Sequence, residues 1–469
     1  MYIAGYIQAC LISIYPIFMK QYVSLILGIL FLIPAFSQPR KTLDAKVDHI
    51  VQPFLQTNNF SGTVLISQHG KIIFSKAYGK MSREYGVSNH THTKFMLASV
   101  SMIFTSAAIM KLQEEGKLSI NDSLSKYFPD YKHATRLIIH DLLAQRSGIP
   151  AIGTGGNVTY DSMTKFHHSP QQLYAYFKDY DLLFKPGEKY NHGRSDYILL
   201  AWIIEKVSGK SFGQYLKEEI FMPLGMVNTG HYSSEKEIIP FLAKGYAPKD
   251  LYDLESAYGV DWSSRTGHAS IYSTTTDLHQ FLQAALKVNF LKKGSWDQLF
   301  KDHGNNVGYG WFVGSHLNRD RIQINGLSPG YSSFAGFYPK EGLGIVVLSN
   351  TYVALAPEIA KAIAASVLNE PYQPLPLTDK KVSAEFAKKI VGTYRFDKNF
   401  YRPNYELTIS YEGGRLHSDW GGLIPIDKGG KDFKEYILRR YWSSITFLSD
   451  GEGVIKQMKF DDHTGEKIR

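Results

Sequence analysis

Ser99 stands near the start of FMLASVSMIFTSAAIMKLQEEGKLS (95–119), a stretch that is apolar at helical spacing, and the third residue after it is Met102. Side chains three apart on a helix are neighbours. A lysine at that third place would set an amine beside the serine hydroxyl, lower its pKa and carry protons. Methionine takes no proton and makes the local surface apolar. A hydroxyl without a base is a poor nucleophile, so the pair reads either as acyl-transfer chemistry lacking its base or as a serine that caps or packs a helix start. Rival chemistry has little support. Cys10 is the single cysteine, which excludes an internal disulfide and a cysteine-type zinc site, and no cluster favours metal-assisted hydrolysis.

The elements that would position Ser99 follow from periodicity. An amphipathic helix is expected over 41–56. GTVLISQHGKIIFSKAYG (62–79) reads as a β-hairpin turning at His69-Gly70. The Ser99 helix should run to about Glu115 and close at Gly116, and another should end at Leu142–Arg146, before Ser147-Gly148. SDYILLAWIIEKVSG (195–209) and TTTDLHQFLQAAL (274–286) are helical. The text then turns to strands at 309–315, 332–339 and 343–350, with a helix at 355–368. Strands, many helices, strands and a helix predict an α+β fold, an α/β sandwich whose antiparallel sheet is made from both chain ends and flanked by helices. YQPLPLTD opens a proline-bearing linker (372–380). Beyond it, 381–469 alternates in period two, with turns at Gly413-Gly414 and Asp450-Gly451, and reads as a separate all-β module.

The 469 residues are 44% hydrophobic and 20% charged, which suits a globular chain. The net charge of +9 fits a loose attraction to acidic surfaces. No basic cluster with interleaved aromatics occurs, so nucleic acid is not an expected partner. Lys20 is the sole charge in 1–37. From Met19, MKQYVSLILGILFLIPAFSQPRK has a basic start, an apolar run and a small-residue end at Ala35-Phe36-Ser37, which predicts a secretory signal cleaved before Gln38. The alternative is a membrane anchor, because 1–36 is long enough to span a bilayer. An exported protein, periplasmic or extracellular, is the expectation, with membrane contact only through this segment if it is retained.

Residues from about 43 to 370 (the domain bounded at 38–371) resemble the β-lactamase-related serine hydrolases: class C β-lactamases, D-alanyl-D-alanine peptidases and related esterases. Beside the Ser99 segment, the resemblance rests on EEGKLSINDSLSKYFPDY (114–131), LLAQRSGIP (142–150), KPGEKYNHGRSDYILLAWIIEKVSGKSF (185–212), PLGMVNTG (223–230), YSTTTDLHQFL (272–282) and SPGYSSFAGFYPKEGLGIVVLSN (328–350). The C-terminal module resembles the lipocalin-like extension that some of these hydrolases carry. The resemblance implies a Ser-x-x-Lys pair at a helix start, here Ser99 and Met102. It implies a Tyr-x-Asn motif, which falls on His192-Gly193-Arg194, and a Lys/His-x-Gly motif, which falls on Ile324-Asn325-Gly326. Tyr190 stands two residues before the tyrosine position and is expected to pack. The oxyanion hole would use the backbone N–H groups of Ser99 and Leu327, which side-chain changes leave in place.

Two functions follow. In the first, the alterations at Met102, His192, Arg194 and Ile324 mark a pseudoenzyme: family-type activity is impaired or lost, and the role is binding or regulation of a small-molecule, peptide or cell-wall-type ligand. In the second, Ser99 forms an acyl-enzyme with His192 as substitute base. In both, Arg194, Asn325, Gly326 and Leu327 would line the ligand. Arg194 stays protonated and anchors an acidic group or plugs the old pocket. Ser147 and His268 are expected to be structural. Neither function calls for a metal or a cofactor.

Overall fold

The structure, a computed structural model, describes residues 38–153, 160–234, 236–353, 355–372, 375–398, 400, 404–430, 432–439 and 443–469. The expected signal or anchor at 1–37 lies outside the described residues. Met1–Val47 and Asp48–Arg469 separate as two units, and the account below concerns the second.

A six-stranded antiparallel sheet orders its strands Phe312–His316, Arg319–Ser328, Tyr331–Tyr338, Leu343–Ser349, Gly62–Gln68 and Lys71–Tyr78. The hairpin expected at 62–79 is present. His69 and Gly70 make its turn at φ +48° and +81°, a region that suits the glycine. The two chain ends meet where Gly62 pairs with Ser349 and Gln68 with Leu343. LGIVVLS and GTVLIS are buried on both faces, as near-continuous apolar runs should be. Thr275–Leu286 and Ala356–Val367 pack against these central strands. The helices Met102–Glu114 and Arg194–Ser208 pack on each other within the main apolar core. Thr274 caps its helix by accepting from Asp277 N, and Gly209 closes Arg194–Ser208 at φ +71°. Strand Arg319–Ser328 falls outside the strand stretches expected at 309–315, 332–339 and 343–350, although Ile322 and Ile324 alternate with Arg321, Gln323 and Asn325.

The C-terminal strands close into an eight-stranded antiparallel barrel running from Gly392–Arg395 to His463–Lys467, and Tyr394 pairing with Lys467 seals it. Tyr394, Leu407, Ile409, Leu416, Tyr436, Phe447 and Met458 fill its interior. The expected β module is present as this barrel, and it opens with a short helix that the alternation did not mark, Ala384–Ile390, capped by Ser383 Oγ accepting from Phe386 N. Phe386, Ala387 and Ile390 bury into the barrel core. This short capped segment turns its apolar face into the barrel core.

Among the described residues no helix is long and apolar enough to cross a membrane, and no three His, Cys, Asp or Glu side chains gather as a metal site requires.

Candidate functional site

Ser99 lies not in the α-helix but in a 3-10 turn, Ala98–Ser101, that feeds into Met102–Glu114. Ala98 takes φ +50°, a left-handed conformation that costs a non-glycine residue roughly 1 kcal/mol. Tertiary hydrogen bonds hold it there. Ser333 Oγ donates to Leu97 O at 2.5 Å, and Leu97 N donates to Ile271 O at 2.8 Å. Ser101 Oγ accepts from Ile271 N at 3.1 Å. The turn is thus tied from both sides, and Ser99 is presented half-buried. Among the described residues its hydroxyl makes no hydrogen bond.

The strand Arg319–Ser328 runs hard against this turn. A Cβ on Gly326 would stand 2.8 Å from Ser99 N and 2.7 Å from Ser333 Oγ, so only glycine permits the approach. Ile324 and Gly326 share a face of the strand. Asn325 is half-buried, and the Leu327 side chain is 38% exposed. The Gly326 backbone therefore lies against the Ser99 turn, with Leu327 next in the strand.

The proton-handling side looks different. Met102 is 1% exposed and Ile324 2%, and both belong to the apolar core. Thioether and hydrocarbon occupy the two positions where the resemblance would place a lysine and a lysine or histidine. The described contacts put no base on Ser99. His192 Nδ1 instead lies 3.4 Å from Gln145 Nε2 and 3.3 Å from Tyr190 Oη. Gln145 Nε2 also reaches Met102 Sδ at 3.9 Å, and Tyr190 Oη donates to Gln145 Oε1 at 3.4 Å. Gln145 is thus the hub that joins the Met102 and His192 positions. It is 4% exposed and sits at φ +53°, with its carbonyl accepting from Asn191 N at 2.9 Å. Sequence reasoning quoted its segment, LLAQRSGIP, but assigned it nothing. It also expected Tyr190 only to pack, whereas the phenol hydrogen-bonds within this cluster.

Electrostatics keep the cluster neutral. Desolvation, then the Arg194 charge, hold the His192 pKa below the ordinary imidazole value, although the residue is surface-exposed. Burial, then the Asp196 charge, push Tyr190 up to about 12, so it acts as a phenol and not a phenolate base. Arg194 is the first residue of Arg194–Ser208, after Gly193 as N-cap. A cation there opposes the helix dipole. Asp196 follows in the same turn, buried and accepting from Ser147 Oγ at 2.6 Å; burial holds its carboxyl well above the usual range. His268 is buried and feels the charges of Arg265, Arg194 and His192, and after desolvation these drive its pKa well down. Arg265 Nη1 donates to Ser328 Oγ at 3.3 Å. Positive and imidazole groups therefore crowd one side of the site. A cavity of about 860 Å³ along Phe312–Ser315 and Asp320–Gln323 contains none of Ser99, His192 or Arg194, and does not mark this site.

The family model described as Beta-lactamase matches residues 47–368. The chain belongs to the beta-lactamase family. Among relatives of this beta-lactamase-family chain, protein flp of Staphylococcus aureus (strain COL) is 28% identical over 350 residues, covering 69% of this chain and 66% of flp. The chain thus spans just under two thirds of that relative's length. Two solved structures share the fold. The octameric penicillin-binding protein homologue from Pyrococcus abyssi has a TM-score of 0.64 at 23% identity and covers 92% of this chain and 100% of its own, so the likeness extends into the barrel. D-amino acid amidase from Ochrobactrum anthropi SV3, complexed with L-phenylalanine amide, has a TM-score of 0.62 at 20% identity and covers 70% of this chain and 99% of its own. The resemblance read from the motifs holds at the level of family and fold.

Proposed function

We propose that this chain is an exported member of the beta-lactamase family that binds a small anionic amide or peptide ligand and has lost most or all family-type turnover. The observation that carries the reading is the Gln145–His192 contact. With Gln145 Nε2 donating, His192 Nδ1 accepts, and the proton of the neutral ring resides on Nε2. A ring protonated there cannot take the Ser99 proton through that nitrogen. Met102 and Ile324, buried in the core, offer no substitute. Ligand binding is supported by Arg194: a guanidinium at a helix N-terminus adds its charge to the dipole, and both favour an anion. Asn325, Gly326 and Leu327 would form the opposite wall. Export rests on the apolar segment 19–37.

One contact favours a second reading. Tyr190 Oη, 3.3 Å from His192 Nδ1, can accept a hydrogen bond from an Nδ1–H, since its own hydrogen goes to Gln145 Oε1. Nε2 would then be bare and able to serve Ser99 as general base in an esterase or amidase that works through an acyl-enzyme.

Calorimetry with a D-alanyl-D-alanine dipeptide, run beside p-nitrophenyl acetate turnover, separates the two. The first reading expects dipeptide binding that Arg194→Gln weakens about tenfold, the scale of a lost charge-assisted contact, and ester turnover equal to that of Ser99→Ala. Ester hydrolysis that both Ser99→Ala and His192→Ala abolish would overturn it in favour of the second.

A further inference from the structure

The barrel sends one side chain deep into the hydrolase part. Arg439, 2% exposed, donates from Nε to Asn59 Oδ1 at 2.8 Å, from Nη2 to Asn58 O at 3.0 Å, and from Nη1 to Asp253 O at 2.8 Å and to Asp250 O. Every acceptor lies outside the barrel, and three are backbone carbonyls. Two of those carbonyls belong to the tip of a small hairpin whose strands are Tyr246–Pro248 and Leu254–Ser256. The tip is held from the barrel side at further points. Arg415 stacks over the Tyr252 ring at 4.2 Å, and Tyr252 Oη donates to Thr378 O at 2.8 Å. Leu251 is buried so close to Gly422 that a Cβ on the glycine would stand 2.8 Å from Leu251 Cδ1.

The other end of the hairpin touches the site. A Cβ on Gly245 would fall 2.8 Å from Gly330 Cα, and one on Gly330 would fall 3.0 Å from Ala257 Cβ. Tyr331 Oη donates to Ala243 O at 2.6 Å. Gly330, at φ +83°, is in the turn that ends the Ile324–Leu327 strand, three residues beyond Leu327. Contact is therefore continuous from a barrel arginine, through a hairpin, to the strand that faces Ser99.

We propose that the C-terminal barrel is a positioning element for the ligand site: Arg439 pins the 246–256 hairpin, and the hairpin pins the Pro329-Gly330 turn and with it the Gly326–Leu327 backbone. Arg439 is a positioning residue and touches no ligand. Planar geometry suits it to the task, because one guanidinium directs donors at several carbonyls at once, which a lysine cannot match. The inference goes beyond the ligand-binding reading and holds whether or not Ser99 reacts.

Hydrogen exchange read by mass spectrometry on the full chain tests it with Arg439→Met and Arg439→Lys. The expected result is exchange about tenfold faster in Arg439→Met across 246–258 and 327–331, reporting local opening. The helix 102–114 and the barrel strand 406–412 should keep wild-type protection, and Arg439→Lys should restore part of the loss. A rise confined to 58–59 and 250–253, with 327–331 unchanged, would overturn the proposal. If Arg439→Met loosens the whole molecule, Arg415→Ala decides: faster exchange at 327–331 supports the pathway, and wild-type exchange there overturns it.

Discussion

The two walls of the Ser99 site have fared differently. One wall is backbone: the turn 98–101 and the strand around Gly326, drawn together so tightly that a methyl group would not fit, with a left-handed alanine held in place by Ser333 and Ile271. The other is side chain: Met102, Ile324, Gln145, Tyr190 and His192, where amines and a reactive phenol would have stood. The first sets the Gly326 strand against the Ser99 turn, the close backbone approach that an oxyanion hole of main-chain donors would need. The second has become apolar at its base and neutral at its rim. Geometry made from main chain survives substitution, because main-chain donors do not depend on residue identity. Proton transfer depends on the identity of single side chains. On the proposed reading, such a site holds a carbonyl compound without cleaving it.

Four substitutions sharpen or break this contrast. The largest effect is expected from Met102→Lys. An amine placed at a 1% exposed apolar position should lower stability by roughly 2–4 kcal/mol in chemical denaturation; no loss would mean that the side-chain wall still accommodates a base. Gly326→Ala comes next. The added methyl would press on Leu97 O and stand 2.7 Å from Ser333 Oγ and 2.8 Å from Ser99 N, which should cost about 1–3 kcal/mol on the same assay, and a neutral result would show the backbone wall to be loose. Gln145→Glu should turn the hub from donor to acceptor, move the imidazole proton to Nδ1 and raise the His192 pKa, visible in ¹⁵N imidazole shifts. Any Ser99 reactivity should then rise, by about tenfold at least if Nε2 becomes a working base. Unchanged shifts would separate Gln145 from the tautomer.

The smallest effect concerns pH. Because the folded pKa of His192 lies below the ordinary value near 6.5, the unfolded chain takes up the proton first on acidification. Its contribution to stability is complete above about 6.5 and fades as pH falls towards the folded value. Arg194→Gln removes the second cause of the shift, so it should raise the His192 pKa in an NMR titration and narrow that window. A pKa that stays put would show that desolvation acts alone.

Much of this was legible in the chain, and what was not has physical reasons. The His69-Gly70 turn, the glycine-closed helices and the period-two alternation beyond 381 announce themselves locally. The substitutions at Met102 and Ile324 can be read from motif spacing, and their burial in the core follows from their chemistry. Barrel closure cannot be read that way, because pairing Tyr394 with Lys467 joins distant strands. The helix Ala384–Ile390 carried a cap signal at Ser383 but is too short for its periodicity to stand out. Gln145 and Arg439 were invisible for one shared reason. Gln145 meets Met102 and His192 across 43 and 47 residues, and Arg439 meets Asn59 across 380. Side chains that act as hubs have no local pattern.

Intact-protein mass spectrometry after exposure to a fluorophosphonate and to a penicillin, with wild type set against Ser99→Ala, tests the split between the two walls most directly. A chain that kept its backbone wall and lost its proton-handling wall should give no adduct that distinguishes wild type from Ser99→Ala with either reagent. A stoichiometric, Ser99-dependent acyl or phosphonyl adduct would show that a base reaches the hydroxyl after all, and would contradict the account.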